Sequence, residues 1–163
     1  MSNEKHVKLE IAEGLATITL DRPPLNVLNV PMMTELNGLL ENVLTRNDTA
    51  ALLIRGSGKA FSAGVDVADH SADKVGEMIR LFHGIFRRLI TSDVLSVAAV
   101  QGAALGGGCE LACACDIVLA SDRAKFGQPE VQVGVFPPVA ACLLPPQIGG
   151  RKAVEFTALG ATI

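Results

Sequence analysis

Residues Ser96 to Asp116 read SVAAVQGAALGGGCELACACD. A β-branched run with Val97 and Val100 leads to Gly102, glycines follow at 106, 107 and 108, and a small-residue helical pattern then carries one acid, Glu110. A glycine-dense turn that opens a helix leaves backbone N–H groups unpaired and facing outward, where they can hold an anion or a developing oxyanion. Glu110 is a carboxylate among Ala, Leu, Cys and Gly, and burying it costs several kcal/mol unless it is hydrogen-bonded or used. Two plainer explanations compete: such glycines can serve close packing alone, and an acid in a first helical turn complements the helix dipole. No Lys-Ser or Lys-Thr follows the glycines and their spacing is not GxGxxG, so triphosphate and dinucleotide loops are excluded.

Outward from this stretch, the pattern is one of short strands alternating with helices. His6 to Ile11 and Leu15 to Leu20 alternate around Glu13-Gly14 and predict a β-hairpin. Asp21-Arg22-Pro23-Pro24 stops it, Leu25 to Asn29 is a loop, and Pro31 opens a helix predicted to run to about Arg46. Ala50 to Ile54 predicts a buried strand. The segment KAFSAGVDVADH repeats the opening theme, a strand followed by a loop with Gly64, Val65 and Asp66. Asp73 to Ile90 has the spacing of an amphipathic helix with Arg80, Arg87 and Arg88 on its wet face. Beyond the glycine turn, Ile117 to Ala120 and Lys125 to Gly127 predict strands, Pro129-Glu130 a loop, and Lys152 to Leu159 a last helix. Strands separated by helices give an α/β class with parallel strand elements.

The chain has 163 residues, enough for one domain with a real core. Hydrophobic residues make up 49% without any Trp or Tyr, so aliphatic residues, Ala and six Phe must build that core. A net charge of −3 and the absence of a basic run argue against nucleic acid as a partner. The polar start MSNEKHVKLE has no secretory pattern and predicts a cytoplasmic protein. Val131 to Gly150 is uncharged, yet the pairs Pro137-Pro138 and Pro145-Pro146 argue against a membrane-spanning helix. Cys109, Cys113, Cys115 and Cys142 fit no CxxC pair and are expected as free thiols, with no metal.

Three blocks together, GSGKAFSAGVDV at 56 to 67, QGAALGGGCELACACDIVLAS at 101 to 121 and FGQPEVQVGVFP at 126 to 137, resemble the signature blocks of the enoyl-CoA hydratase/isomerase (crotonase) superfamily, and DRPPLNVLN resembles its opening. The resemblance implies a spiral of ββα units and an acyl-CoA thioester as substrate, with coenzyme A entering only as part of that substrate. It also implies an oxyanion hole formed by the backbone N–H groups of Val65 and Gly107. Glu110 and Glu130 match the two glutamates that hold a water against the β-carbon, with Glu130 expected as the proton donor and Glu110 as the water-activating partner. The same resemblance places the CoA moiety along Leu25, Val27, Ala63, Gly64, Asp66, Val67 and Ala68, and makes Pro129 a wall of the acyl pocket. Phe82 and Phe86 are further candidates for that pocket; Arg22 and Lys59 are candidates for phosphate contacts.

After Glu130 the sequence VGVFPPVAACLLPP departs from the family's usual glycine-rich turn. Pro138 and Val139 are expected to stiffen and narrow the acyl site, a pattern that resembles the hydratases of cyclic dienoyl-CoA thioesters in aromatic degradation. The resemblance further implies a homotrimer or a dimer of trimers. Family members continue past position 163, so residues 1–163 are expected to be a core domain truncated at its C-terminus. The alternatives are a double-bond isomerase of the same fold and an inactive member that serves as an interaction subunit.

Overall fold

A computed structural model describes residues 5–163 of the chain; the polar residues 1–4, part of the N-terminal segment considered above, lie outside the described residues. Strands β1 (Val7–Ala12) and β2 (Leu15–Leu20) form the antiparallel hairpin, and its turn residues Glu13 and Gly14 have φ of 51° and 81°, the positive angles that match a hairpin turn to strand twist. The chain continues through α1 (Val30–Leu44), β3 (Ala51–Gly56), a 3₁₀ turn (Val67–His70), α2 (Val75–Ile90), β4 (Leu95–Val100) and β5 (Ala103–Leu105). It ends with α3 (Gly107–Cys113), β6 (Ile117–Ala120), β7 (Lys125–Gly127), a second 3₁₀ turn (Pro129–Val133), α4 (Pro138–Ile148) and α5 (Gly150–Leu159).

The main sheet has the order β1-β2-β3-β4-β6, and from β2 onward every neighbour is parallel. A second, smaller layer pairs β5 with β7 and reaches residue 62 through a single bridge between Ser62 and Ala104. Each turn of the chain thus gives one strand to the large sheet and a short extended piece to the small one before its helix or 3₁₀ turn. This is the expected spiral of ββα units. Ala16, Ile18 and Leu20 of β2, Leu52 and Ile54 of β3, and Ala98 and Val100 of β4 point into one core with Leu36 and Leu40 of α1 and Ile85 and Leu89 of α2.

Local chemistry explains the boundaries. Asn29 caps α1 by accepting from the Met32 N–H at 3.0 Å, and buried Asp69 accepts from the Val30 N–H at 2.8 Å. The helix ends at Leu44 rather than Arg46. The strand expected before Gly64 is reduced to the Ser62 bridge, because buried Asn26 gathers this backbone instead: its Nδ2 donates to the carbonyls of Ser57, Ala60 and Phe61 at 3.0, 2.9 and 3.2 Å. Arg88 is not on the wet face as expected; it crosses to α1 and donates to Asn37 Oδ1 at 3.0 Å and Glu41 Oε2 at 3.1 Å. The Pro129-Glu130 segment forms a 3₁₀ turn rather than an open loop. Both proline pairs are absorbed by one helix, α4, with Pro138 at its first position, where no N–H is needed, and Pro145-Pro146 near its C-terminal end. No described helix is long and apolar enough to cross a membrane.

Candidate active site

Two glycine loops meet at the heart of the candidate site. Gly64 has φ of 103° and Gly106 has φ of 52°, backbone conformations that a side chain would strain. A methyl group placed on Gly64 would stand 3.5 Å from the Gly107 nitrogen, and one on Gly107 would stand 2.9 Å from Val65 Cγ2 and from Phe82 Cζ. A methyl on Gly108 would lie 2.2 Å from the Ser62 carbonyl oxygen, so the start of α3 rests backbone to backbone on the 60–64 loop. Among the described residues, neither the Val65 nor the Gly107 N–H has a protein acceptor. Both residues line the same cleft of about 480 Å³, and Gly107 is the first residue of α3, where N–H groups are unpaired by construction.

Glu110 and Glu130 line that cleft as well. Glu110 is 3% exposed, one turn into α3, and its Oε1 accepts from the Ala140 N–H at the start of α4 at 2.7 Å. Burial pushes its carboxyl up from the ordinary 4.5 to about 7, against the Ala140 N–H, and the neighbouring Glu130 charge adds to the rise. Glu130, on the second 3₁₀ turn, is also raised by burial. A methyl on Gly106 would sit 2.8 Å from Glu130 Oε1, so the second acid lies against the glycine turn that carries the first.

The remaining wall is apolar. Ala63, Gly64, Val67 and Pro129 line the cleft, with Phe82 from α2, Phe136 and Pro137 from the segment before α4, and Pro138 from its first position. The other expected CoA contacts do not reach this cleft. Leu25 presents its carbonyl to the Ala63 N–H at 2.9 Å, and the Val27 carbonyl accepts from Arg22 Nη1 at 2.9 Å. Asp66 pairs with Arg22 at 3.2 Å and accepts from the Ala68 N–H at 3.2 Å. These groups therefore hold the 60–68 loop to the 22–28 loop, and the Arg22 guanidinium considered for phosphate is engaged there. Phe86 packs in the core, edge-on to Phe82 with ring centroids 4.7 Å apart.

Sequence reasoning missed three side chains of the cleft region. His70 and His83 line it. Gln128 is fully buried behind Glu130, and with its amide nitrogen turned toward the acid it donates to both carboxylate oxygens at 3.1 and 3.0 Å. A polar residue between Gly127 and Pro129, in a block otherwise set by the turn, was the available signal.

Residues 10–163 match the enoyl-CoA hydratase/isomerase family. The chain belongs to that family. A curated relative, the cyclohexa-1,5-dienecarbonyl-CoA hydratase of Thauera aromatica, is 36% identical over 162 residues, covering 99% of this chain and 63% of its own length. The enoyl-CoA hydratase of Thermoplasma volcanium superposes with a TM-score of 0.91 at 30% identity, over 98% of this chain and 66% of that one. Pseudomonas aeruginosa DspI does so with a TM-score of 0.92 at 31% identity, over 99% and 64%. The fold is the crotonase fold of the family, and the chain spans under two thirds of the Thauera relative's length.

Proposed function

We propose that this family member is an enoyl-CoA hydratase-type lyase that adds water across the double bond of an enoyl-CoA thioester. The observation that carries the proposal is the convergence on one apolar cleft of two unpaired backbone donors, Val65 and Gly107, and two carboxyl groups with raised proton affinity, Glu110 and Glu130.

The thioester oxygen accepts from the Val65 and Gly107 N–H groups, which draws electron density away from the β-carbon and stabilises the enolate as it forms. Such preorganised donors are worth about 10²- to 10³-fold each in rate. A water between the glutamates attacks the β-carbon. One glutamate, ionised, takes the water's proton; the other, protonated, delivers a proton to the α-carbon. Glu130 is assigned the donor role and Glu110 the water-activating role. In the free protein Glu110 is the more buried acid, so this assignment requires the shared proton to pass to Glu130 once water and thioester occupy the cleft. CoA is assigned to the loop at 63–68, where Ala63, Gly64 and Val67 border the cleft mouth.

The Phe82, Phe136, Pro137 and Pro138 wall supports a flat, apolar acyl group, and a cyclic dienoyl thioester is the proposed preference. Exposed Ile117, Val118 and Leu119 on the outer strand β6 support self-association, proposed as a trimer. The test is hydration by the purified chain, followed as loss of enoyl-thioester absorbance, with crotonyl-CoA and cyclohexa-1,5-dienecarbonyl-CoA side by side. Turnover of either supports the proposal, and faster turnover of the cyclic substrate supports the preference. A folded chain that turns over neither, or that only shifts the double bond, overturns it.

A further inference from the structure

Asn37 is the polar member of an otherwise apolar inward face of α1, where Met33, Leu36, Leu40 and Val43 are buried with it. Its Nδ2 donates to the Met33 carbonyl of its own helix at 2.8 Å and to the Leu81 carbonyl of α2 at 2.9 Å. Its Oδ1 accepts from Arg88 Nη1 at 3.0 Å, so both donors of the amide and its oxygen are used. Arg88 also donates to the Gly84 carbonyl at 3.3 Å and to Glu41 Oε2, one turn further along α1, at 3.1 Å. Gly84 makes the approach possible: a methyl there would stand 2.7 Å from Asn37 Oδ1 and 3.3 Å from Arg88 Nη1. Apolar ridges tolerate small slips of one helix along another, whereas a buried polar group satisfied at a single offset selects that offset.

The Leu81 carbonyl belongs to the peptide that joins Leu81 to Phe82, and α2 also brings Met78, Ile79 and His83 to the cleft. Phe82 Cζ and Val65 Cγ2 flank one point beside Gly107, each 2.9 Å from it. The offset of α2 on α1 therefore sets how closely the Phe82 ring abuts the two loops that carry the Val65 and Gly107 N–H groups. We propose that Asn37, which does not itself line the cleft, is a positioning residue for the acyl pocket: it holds α2 at the offset that seats Phe82 against Val65 and Gly107. The consequence for acyl selection rests on the hydratase reading. A slip of α2 changes the width of the cleft, which a rigid cyclic acyl group senses more than a short straight chain does.

Asn37→Leu keeps the shape of the side chain and removes its bonds, while the Met33 and Leu81 carbonyls keep helical partners and Arg88 keeps Gly84 and Glu41. The experiment reads the ring-current shift of the Val65 methyl resonances by NMR in the wild type, Asn37→Leu and Phe82→Leu, with hydration of crotonyl-CoA and cyclohexa-1,5-dienecarbonyl-CoA measured alongside. In Asn37→Leu the Val65 resonances should move toward their positions in Phe82→Leu. The ratio of kcat/KM between the two thioesters should change at least about threefold, and that change should vanish when Phe82→Leu is already present. A lower urea midpoint with unmoved Val65 methyls marks a merely structural role and overturns the proposal, as does a change in the ratio that persists in full in the Phe82→Leu background. Moved methyls in a protein whose wild type hydrates neither thioester keep the positioning role and refute the hydratase reading instead. Should Asn37→Leu not fold, Gly84→Ala serves, because Ala favours a helix interior and its methyl pushes Asn37 from the α2 side; unmoved Val65 methyls in that variant also overturn the proposal.

Discussion

Replacing Glu110 by Gln should make the protein more stable at alkaline pH and leave it nearly unchanged at acid pH. The carboxyl is raised from 4.5 to about 7 in the folded state, chiefly because only 3% of the residue remains in contact with solvent. A carboxyl whose folded pKa exceeds its unfolded one favours folding only in its protonated form. That advantage is complete below the unfolded value and disappears as pH rises through the folded one, after which the ionised group opposes folding. The ceiling of the penalty is the shift converted to free energy, about 3 kcal/mol, reached above pH 7; near pH 5 it is about 1 kcal/mol. Gln keeps an oxygen for the Ala140 N–H at 2.7 Å and cannot ionise. Urea unfolding of wild type and Glu110→Gln at pH 5 and pH 8 should therefore show a gap that widens by roughly 2 kcal/mol toward the higher pH. A gap that is constant with pH, or that narrows, would refute the claim that desolvation dominates at this acid.

Activity and fold make three further predictions. Glu130→Gln and Glu110→Gln should each lower turnover by about two orders of magnitude or more with KM changed a few-fold, and single-turnover kinetics with an enoyl thioester would check this. Gly107→Ala drives a methyl to 2.9 Å from Phe82 Cζ and Val65 Cγ2, crowding the cleft beside the proposed Val65 and Gly107 donors; the expected loss in kcat is about 100-fold or greater, and wild-type turnover would remove Gly107 from the proposed site. Asn26→Ala strands the carbonyls of Ser57 and Phe61, leaves that of Ala60 only its bond from Gln101 Nε2 at 3.3 Å, and should cost about 2 to 4 kcal/mol, read as a lower urea midpoint; a change under about 0.5 kcal/mol would show the 56–62 turn to be self-supporting.

The elements legible in the sequence were those set by short-range pattern. Alternation around Glu13-Gly14 gave the hairpin, apolar spacing from Val75 gave α2, and the glycines at 106 to 108 marked a turn in which the Gly107 N–H has no protein acceptor among the described residues while that of Gly106 donates to the Gly127 carbonyl at 2.9 Å. The spiral and the acid pair came from the family resemblance. Contacts that bridge distant segments were not legible. Asn26 belongs to a short LNVLN loop, yet its side chain replaces a strand ladder more than thirty residues away. Leu25 and Val27 were placed beside CoA because their neighbours match the family; that their carbonyls accept from Ala63 and Arg22 and so tie two loops together could not be read from the sequence. Pro145-Pro146 counted against a membrane-spanning helix, and no described helix is long and apolar enough to be one; that an eleven-residue helix accommodates both near its end was not legible. Gln128 precedes Glu130 by two residues, and its burial against that acid could not be read from the spacing.

The contact between Gly108 and the Ser62 carbonyl divides the cleft into two materials. The floor is peptide backbone from two loops that leave no room for even a methyl group between them, and it cannot be altered by exchanging one side chain for another of similar size. The roof is side chains from α2 and the 133–138 segment, most of them replaceable one at a time. Under the proposed function, mutation can therefore retune which acyl groups fit without passing through intermediates that lose the two backbone donors, and a search for altered substrate range should be confined to the roof.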